Sequence, residues 1–340
     1  MRPKQLAQLL DHFIRAAQDG KDVPALHVQG EPGVGKSAIV HQACARSESL
    51  LLEHHLLFKE PVDFSGVPTV ENGRTRWCPP IDLVPDNLPD HVVLLLEELA
   101  QLEPPMQKAC GPIVWDRRFG IVPLPPRTMI VTTGNRIEDK AGAFRLLGHL
   151  RKRLIVINLE SHVDDLLEWG LTTGRLANPI RLYLTFKRTA LHDAPPRSWE
   201  LASQALAICP TTLRQEVLAG ALEPGPASEF MAFVEVCEKL PDLKNVLRKP
   251  ETSPIPEELS VIYATVGSLA ELVMESEPDL QQAAAVYACR FPKEYATLFM
   301  QCCCFNLKTK GKEQVKAFTA LPRVKTWIRD NVDALIWSTQ

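Results

Sequence analysis

Gly30-Glu31-Pro32-Gly33-Val34-Gly35-Lys36-Ser37 is the stretch that decides how this chain is read. It satisfies the pattern G-x-x-x-x-G-K-[ST] at every fixed position. The glycines let backbone N–H groups curl around a phosphate, and a helix beginning at Lys36 adds the positive end of its dipole. Lys36 would neutralise the β- and γ-phosphates of a nucleotide, and Ser37 would bind Mg²⁺. Ala25 to Gln29 reads as a strand and Lys36 to about Cys44 as a helix, which is the context the pattern needs. A plain glycine turn is the competing reading, and the flanking strand and helix weigh against it.

Outward from this loop, three more stretches bear chemistry. Val92-Val93-Leu94-Leu95-Leu96 is a short aliphatic run suited to a strand buried on both faces, and it ends in Glu97-Glu98. Carboxylates there lie at the carboxyl edge of a sheet, where ligands of open α/β sheets bind. Glu97 would hold Mg²⁺ through water, and Glu98 would orient or deprotonate an attacking water. The bland alternative is an acidic helix start after a core strand. Met129-Ile130-Val131-Thr132-Thr133-Gly134-Asn135 is a further buried run with a polar end. Asn135 would hydrogen-bond the attacking water or the γ-phosphate, although Gly-Asn is also an ordinary turn signal. Arg145, Arg151, Lys152 and Arg153 bunch before Leu154–Leu159, and charge pattern alone reads them as a solvated patch. Arg197, within Ala194-Pro195-Pro196-Arg197-Ser198, reads from position alone as a helix-start residue.

The elements between these stretches set the fold class. Apolar residues at helical spacing predict an amphipathic helix over 4–18. Strands are predicted at 25–29, 50–57, 92–96, 128–133 and 154–159, with a helix over 103–115. Strands alternating with helices imply an α/β fold with a mainly parallel sheet covered on both faces. The prolines and glycines of 58–90 predict a long irregular insertion. From Val163 onward the pattern is helical, and three prolines between Lys249 and Glu258 read as a linker. The expected division is a nucleotide-binding α/β core over 1–160, a helical lid over 161–248, a Pro-rich linker over 249–258, and a C-terminal helical segment over 259–340.

Bulk properties narrow the class further. The chain has 340 residues, 45% of them apolar, which is ample for a packed core. A net charge of -3 gives no global pull toward nucleic acid or an anionic membrane. The longest aliphatic run is far short of the roughly 20 residues that span a bilayer, and no apolar signal segment follows the basic start. Nine cysteines without paired spacing fit a reducing compartment, so a cytoplasmic location is expected. Cys302, Cys303 and Cys304 would point about 100° apart on a helix. His54 and His55 would face opposite ways on a strand. Neither set reads as a metal site.

Taken in order, the motifs resemble those of the AAA+ ATPases, and within them the MoxR family, over about residues 5–250. Gly30 to Ser37, Glu97-Glu98, Asn135, the basic segment and Pro196-Arg197-Ser198 look like Walker A, Walker B, sensor 1, arginine finger and sensor 2. Leu96 to Leu99 with Pro104 to Gln107 is similar to the family's helix after Walker B. Val62 to Pro68, with Trp77 through Pro80, looks like its insertion. The family's usual acid pair is Asp-Glu, where this chain has Glu97-Glu98; its finger is followed by Phe, where this chain has Leu154. The resemblance implies ATP and Mg²⁺ as cofactors, and Arg153, with Arg151 second, as the finger reaching a neighbour's ATP. It also implies Arg197 as a γ-phosphate contact from the lid. It further implies a homo-oligomeric ring, commonly a hexamer, that remodels a protein client together with a von Willebrand factor A domain protein. Two alternatives stand beside this reading: a nucleic-acid motor or loader, and an ATP-binding switch with negligible turnover.

Overall fold

The computed structural model describes residues 1–331 other than Pro79, Asp82, Lys140, Lys239 and Pro241. Pro79 of the insertion and residues 332–340 of the C-terminal segment thus lie outside the described residues. Contact density divides the chain into two units, Met1–Asp165 with Pro195–Arg197, and Leu166–Ala194 with Ser198–Gln340.

The first unit is built on five parallel strands. These are β1 (Ala25–Gly30), β2 (Leu50–His55), β5 (Val92–Glu97), β8 (Met129–Gly134) and β9 (Leu154–Leu159), in spatial order β2-β5-β8-β1-β9. The register sets Val93 opposite Met129, Leu96 opposite Thr132, Val28 opposite Thr133 and Gly30 opposite Leu159. The carboxyl ends of β5, β8 and β1 therefore lie side by side. Alternation along β5 explains its unbroken aliphatic run. Val93 and Leu95 join one buried cluster with Leu26, Val28 and Val131, while Leu94 and Leu96 join another with Met106, Ile113 and Ile130. Helix α1 (Pro3–Gln18) seals the first cluster through Leu6, Leu10, Ile14 and Ala17, a spacing that keeps all four on one face. Helix α2 (Lys36–Arg46) adds Ile39, Val40 and Ala43 to the same side.

Two local expectations differ from the structure. The insertion over 58–90 is not irregular throughout: it holds α3 (Pro61–Ser65) and an antiparallel hairpin, β3 (Val67–Glu71) with β4 (Arg74–Cys78). Its two-residue turn, Asn72-Gly73, has φ of 50° and 70°, the left-handed pair that matches strand twist and favours Asn-Gly. The helix expected over 103–115 is two short ones, α4 (Pro104–Ala109) and α5 (Gly111–Trp115). Pro112 removes a backbone donor at the junction. A Cβ on Gly111 would lie 2.1 Å from the Trp115 ring, so the chain needs glycine where it turns. A second small hairpin, β6 (Arg118–Phe119) with β7 (Val122–Pro123), follows, and α6 (Gly148–Arg151) precedes β9.

The second unit is helical. Val266, Leu269, Val273, Ala284, Ala288, Phe299 and Cys303 form its main core, from the helices Leu259–Glu275, Pro278–Ala288 and Lys293–Lys310. Tyr183, Trp199 and Phe230 form an aromatic group within the same unit, with ring centroids 5.2–5.7 Å apart. Among the described residues no helix is long and apolar enough to cross a membrane.

Candidate nucleotide site

The loop from Gly30 to Gly35 takes its shape from its glycines. A Cβ on Gly30 would stand 2.5 Å from the Leu159 carbonyl oxygen, so only glycine lets β1 end this close to β9. Gly33 has φ of 80° and Gly35 of 98°, both in the left-handed region. Gly35 is the N-cap of α2, and Val34 N–H closes the turn onto the Glu31 carbonyl at 3.3 Å. The first N–H groups of α2 have no intrahelical acceptor, which makes this helix start an anion site. Ser37 sits half-buried in that first turn.

Lys36 joins the loop to the neighbouring strand end. Its Nζ donates to the Gly30 and Glu31 carbonyls at 2.9 and 3.0 Å, and to Asn135 Oδ1 at 2.9 Å. Burial pushes its pKa down to about 8, against the opposing pull of Glu97, Asp139 and Glu98. The carboxylates of Glu97, Asp139 and Glu98 thus face the Lys36 charge.

Glu97 is 5% exposed, an acid set at the last residue of a buried strand. Thr133 Oγ1 donates to its Oε2, while its Oε1 is buried without a hydrogen-bond partner. Glu98 has φ of 66°, a left-handed backbone that costs a non-glycine residue free energy. Its N–H donates to the same Thr133 Oγ1 at 3.1 Å. The turn that follows reaches back to β8, where Asn135 N–H donates to Gln101 Oε1 at 3.3 Å. Next to it, Arg136 is clamped by both carboxylate oxygens of Asp139 at 2.8–3.1 Å.

Thr133, Gln101 and the Arg136–Asp139 clamp lie beside these residues, and the sequence reading did not single them out. Thr133 lies within the stretch already singled out, but it reads there as a β-branched strand former and nothing more. His27 was missed as well. It is fully buried in β1, with Nδ1 2.7 Å from Thr132 Oγ1, and burial, then Arg151 and Lys36, lower its pKa to about 4.

The two arginines assigned by position are placed differently. Arg153 is exposed, its guanidinium 5.0 Å from the centroid of the Trp115 ring, and its Nη1 donates to the His149 carbonyl at 3.1 Å. Arg151, the second candidate, is also exposed, at the end of α6. Arg197 clusters with the first unit, and its N–H donates to the Gly33 carbonyl at 3.2 Å. The structure thus brings Lys36, Glu97, Glu98 and Asn135 to one edge, and ties the main chain of Arg197 to the loop.

A Mg²⁺ ion fits these residues. An orphaned, buried carboxylate oxygen on Glu97 is a ligand or water acceptor without a partner, and Mg²⁺ is commonly held by one or two protein groups plus phosphates. Among the described residues no group of three or more His, Cys, Asp or Glu converges as a self-sufficient metal cluster.

Comparison with protein families gives no matching family model, and no curated protein matches the chain. Several solved structures are similar. A mutant of RuvB from Thermotoga maritima has 15% identity over 74% of this chain and 79% of its own, with a TM-score of 0.37. Orc1 from Aeropyrum pernix in complex with DNA has 14% identity over 83% and 81%, with a TM-score of 0.40. NtrX from Brucella abortus in complex with ADP has 15% identity over 97% and 68%, with a TM-score of 0.33. The likeness is slight, with TM-scores of 0.33–0.40. It transfers no substrate, partner or residue role to this chain, whose own side chains must carry any functional assignment.

Proposed function

We propose that this chain is a MoxR-like AAA+ ATPase that hydrolyses ATP at the edge formed by β1, β5 and β8. The observation that carries the proposal is the Lys36 Nζ, bonded at once to the P-loop carbonyls and to Asn135. It sets a positive charge between a phosphate cradle and a pair of acids. Residues Gly30 to Ser37 hold the phosphates through backbone N–H groups and the Lys36 charge. Ser37 and Glu97 would hold Mg²⁺, Glu97 through water, and the ion would supply charge neutralisation at the phosphates. Glu98 orients a water for in-line attack on the γ-phosphorus and takes its proton as the bond to the bridging oxygen breaks, giving ADP and phosphate. Asn135 fixes that water or the γ-phosphate once Lys36 turns to the nucleotide.

Arg197 contacts the γ-phosphate within the same copy; Arg153 serves the active site of a neighbouring copy, so turnover belongs to a ring, taken here as a hexamer. The ring acts on a protein client in the cytoplasm, with a von Willebrand factor A domain protein as its working partner. The core-and-lid division at about residue 160, with the linker over 249–258, belongs to the same reading.

Binding of a fluorescent ATP analogue and phosphate release, measured together, test the proposal. Lys36→Ala abolishes binding, and Glu98→Gln keeps binding but stops turnover. Unchanged affinity in Lys36→Ala would remove the P-loop as the site. Wild-type turnover in Glu98→Gln removes the assignment of the water-activating acid. Binding without turnover in the wild type replaces the ATPase by a nucleotide switch, and DNA-stimulated turnover with steep salt dependence replaces the protein client by nucleic acid.

A further inference from the structure

The end of β5 holds two consecutive acids in unlike settings, and one hydroxyl on β8 serves both. A backbone N–H only donates, so Thr133 Oγ1 must accept from Glu98 N–H at 3.1 Å. The hydroxyl has a single proton, and that proton goes to Glu97 Oε2. The two bonds are complementary: accepting from one acid's backbone leaves the donor free for the other's side chain. The parallel register between β5 and β8, with Leu96 opposite Thr132, puts Thr133 alongside Glu97 and Glu98.

We infer that Thr133 is a positioning residue for the metal, a two-way latch that selects Glu97 Oε1 as the free oxygen and holds the Glu98 backbone in its left-handed turn. This inference rests on reading the site as a Mg·ATP centre. A glutamate side chain is one methylene longer than an aspartate, and a longer arm has one more torsion to fix. Anchoring Oε2 to β8 removes that freedom and leaves Oε1, buried and unpartnered, as the group to meet the ion's water. The latch also supplies the acceptor for Glu98 N–H, which a turn with φ of 66° directs away from the strand ladder. Groups behind a metal ligand commonly govern its affinity by 10–100-fold.

The test uses the full chain and a fluorescent, non-hydrolysable ATP analogue titrated with and without Mg²⁺. Thr133→Val keeps the shape and removes both bonds, and Thr133→Ser keeps both bonds. The metal-free affinity should be the same in all three proteins. The tightening produced by Mg²⁺ should fall about 10–100-fold in Thr133→Val and return in Thr133→Ser. The Mg²⁺ concentration that half-saturates turnover should rise in parallel. Wild-type tightening in Thr133→Val overturns the inference, as does failure of Thr133→Ser to restore it. Thr133→Ala repeats the loss if the valine variant does not fold, which circular dichroism and metal-free binding report. A wild type that binds the analogue with no response to Mg²⁺ overturns the Mg·ATP reading itself, a result distinct from an unaltered Thr133→Val.

Discussion

Lys36 is buried enough that its pKa falls to about 8, and this has two consequences of opposite kind. In the unfolded chain a lysine keeps its proton to about 10.4, so between pH 8 and that value the unfolded state binds more protons. Stability of the free protein should therefore rise with pH across this window. Phosphate binding runs the other way, because it needs the ammonium form. Above pH 8 nucleotide binding must take up a proton, and affinity should fall as pH rises. Calorimetry at pH 8.5 in buffers of different ionisation enthalpy should report uptake of part of a proton; zero uptake would mean that Lys36 stays charged in the free protein. The loop from Gly30 to Gly35 was legible at this scale because its glycines answer local backbone demands, a left-handed φ at Gly33 and Gly35 and the close approach of Leu159 at Gly30. Thr133 was not, since its role depends on which oxygen lies beside it, and register decides that. His27 was hidden for a similar reason, a polar residue whose partner, Thr132, lies 105 residues further along the chain.

Elements were legible where a single period governs them. The α1 face and the aliphatic strands follow directly from spacing, while the junction between α4 and α5 was lost because Pro112 and Gly111 sit inside an otherwise helical run. The β3–β4 hairpin was lost among prolines and glycines, although Asn72-Gly73 is a strong turn signal. All ten of its strand residues are exposed, Val67, Val70 and Trp77 among them. A two-stranded ribbon with no face covered is marginal in water, so its turn governs its persistence. Gly73 at φ of 70° has open space around it, which makes Gly73→Val a test of backbone strain alone. The strain, about 1–2 kcal/mol, should speed amide exchange over 67–78 about 5–30-fold. Nucleotide affinity and the melting temperature should not change. A fall of several degrees in Tm would place the hairpin inside the cooperative core instead.

At the scale of the whole molecule, the proposed ATPase must stabilise the charge on the transferring phosphoryl group. An arginine supplied from a neighbouring subunit is worth about 10³–10⁵ in rate. Arg153 is exposed yet held, stacked at 5.0 Å on Trp115 and bonded to the His149 carbonyl. Such support limits the freedom lost when a guanidinium engages a ligand. If Arg153 acts on the next copy's nucleotide, Arg153→Ala should bind ATP as the wild type does and lose most turnover. Mixing it with Glu98→Gln separates action within a copy from action between copies. The Glu98→Gln protein has an intact finger and an inactive site, and Arg153→Ala has the reverse. A ring holding both would bring an intact Arg153 to an intact Glu98 on the adjacent subunit, so phosphate release should rise above that of either protein alone. Normal turnover in Arg153→Ala would exclude it as the finger and shift the assignment to Arg151, two residues earlier on the same exposed turn.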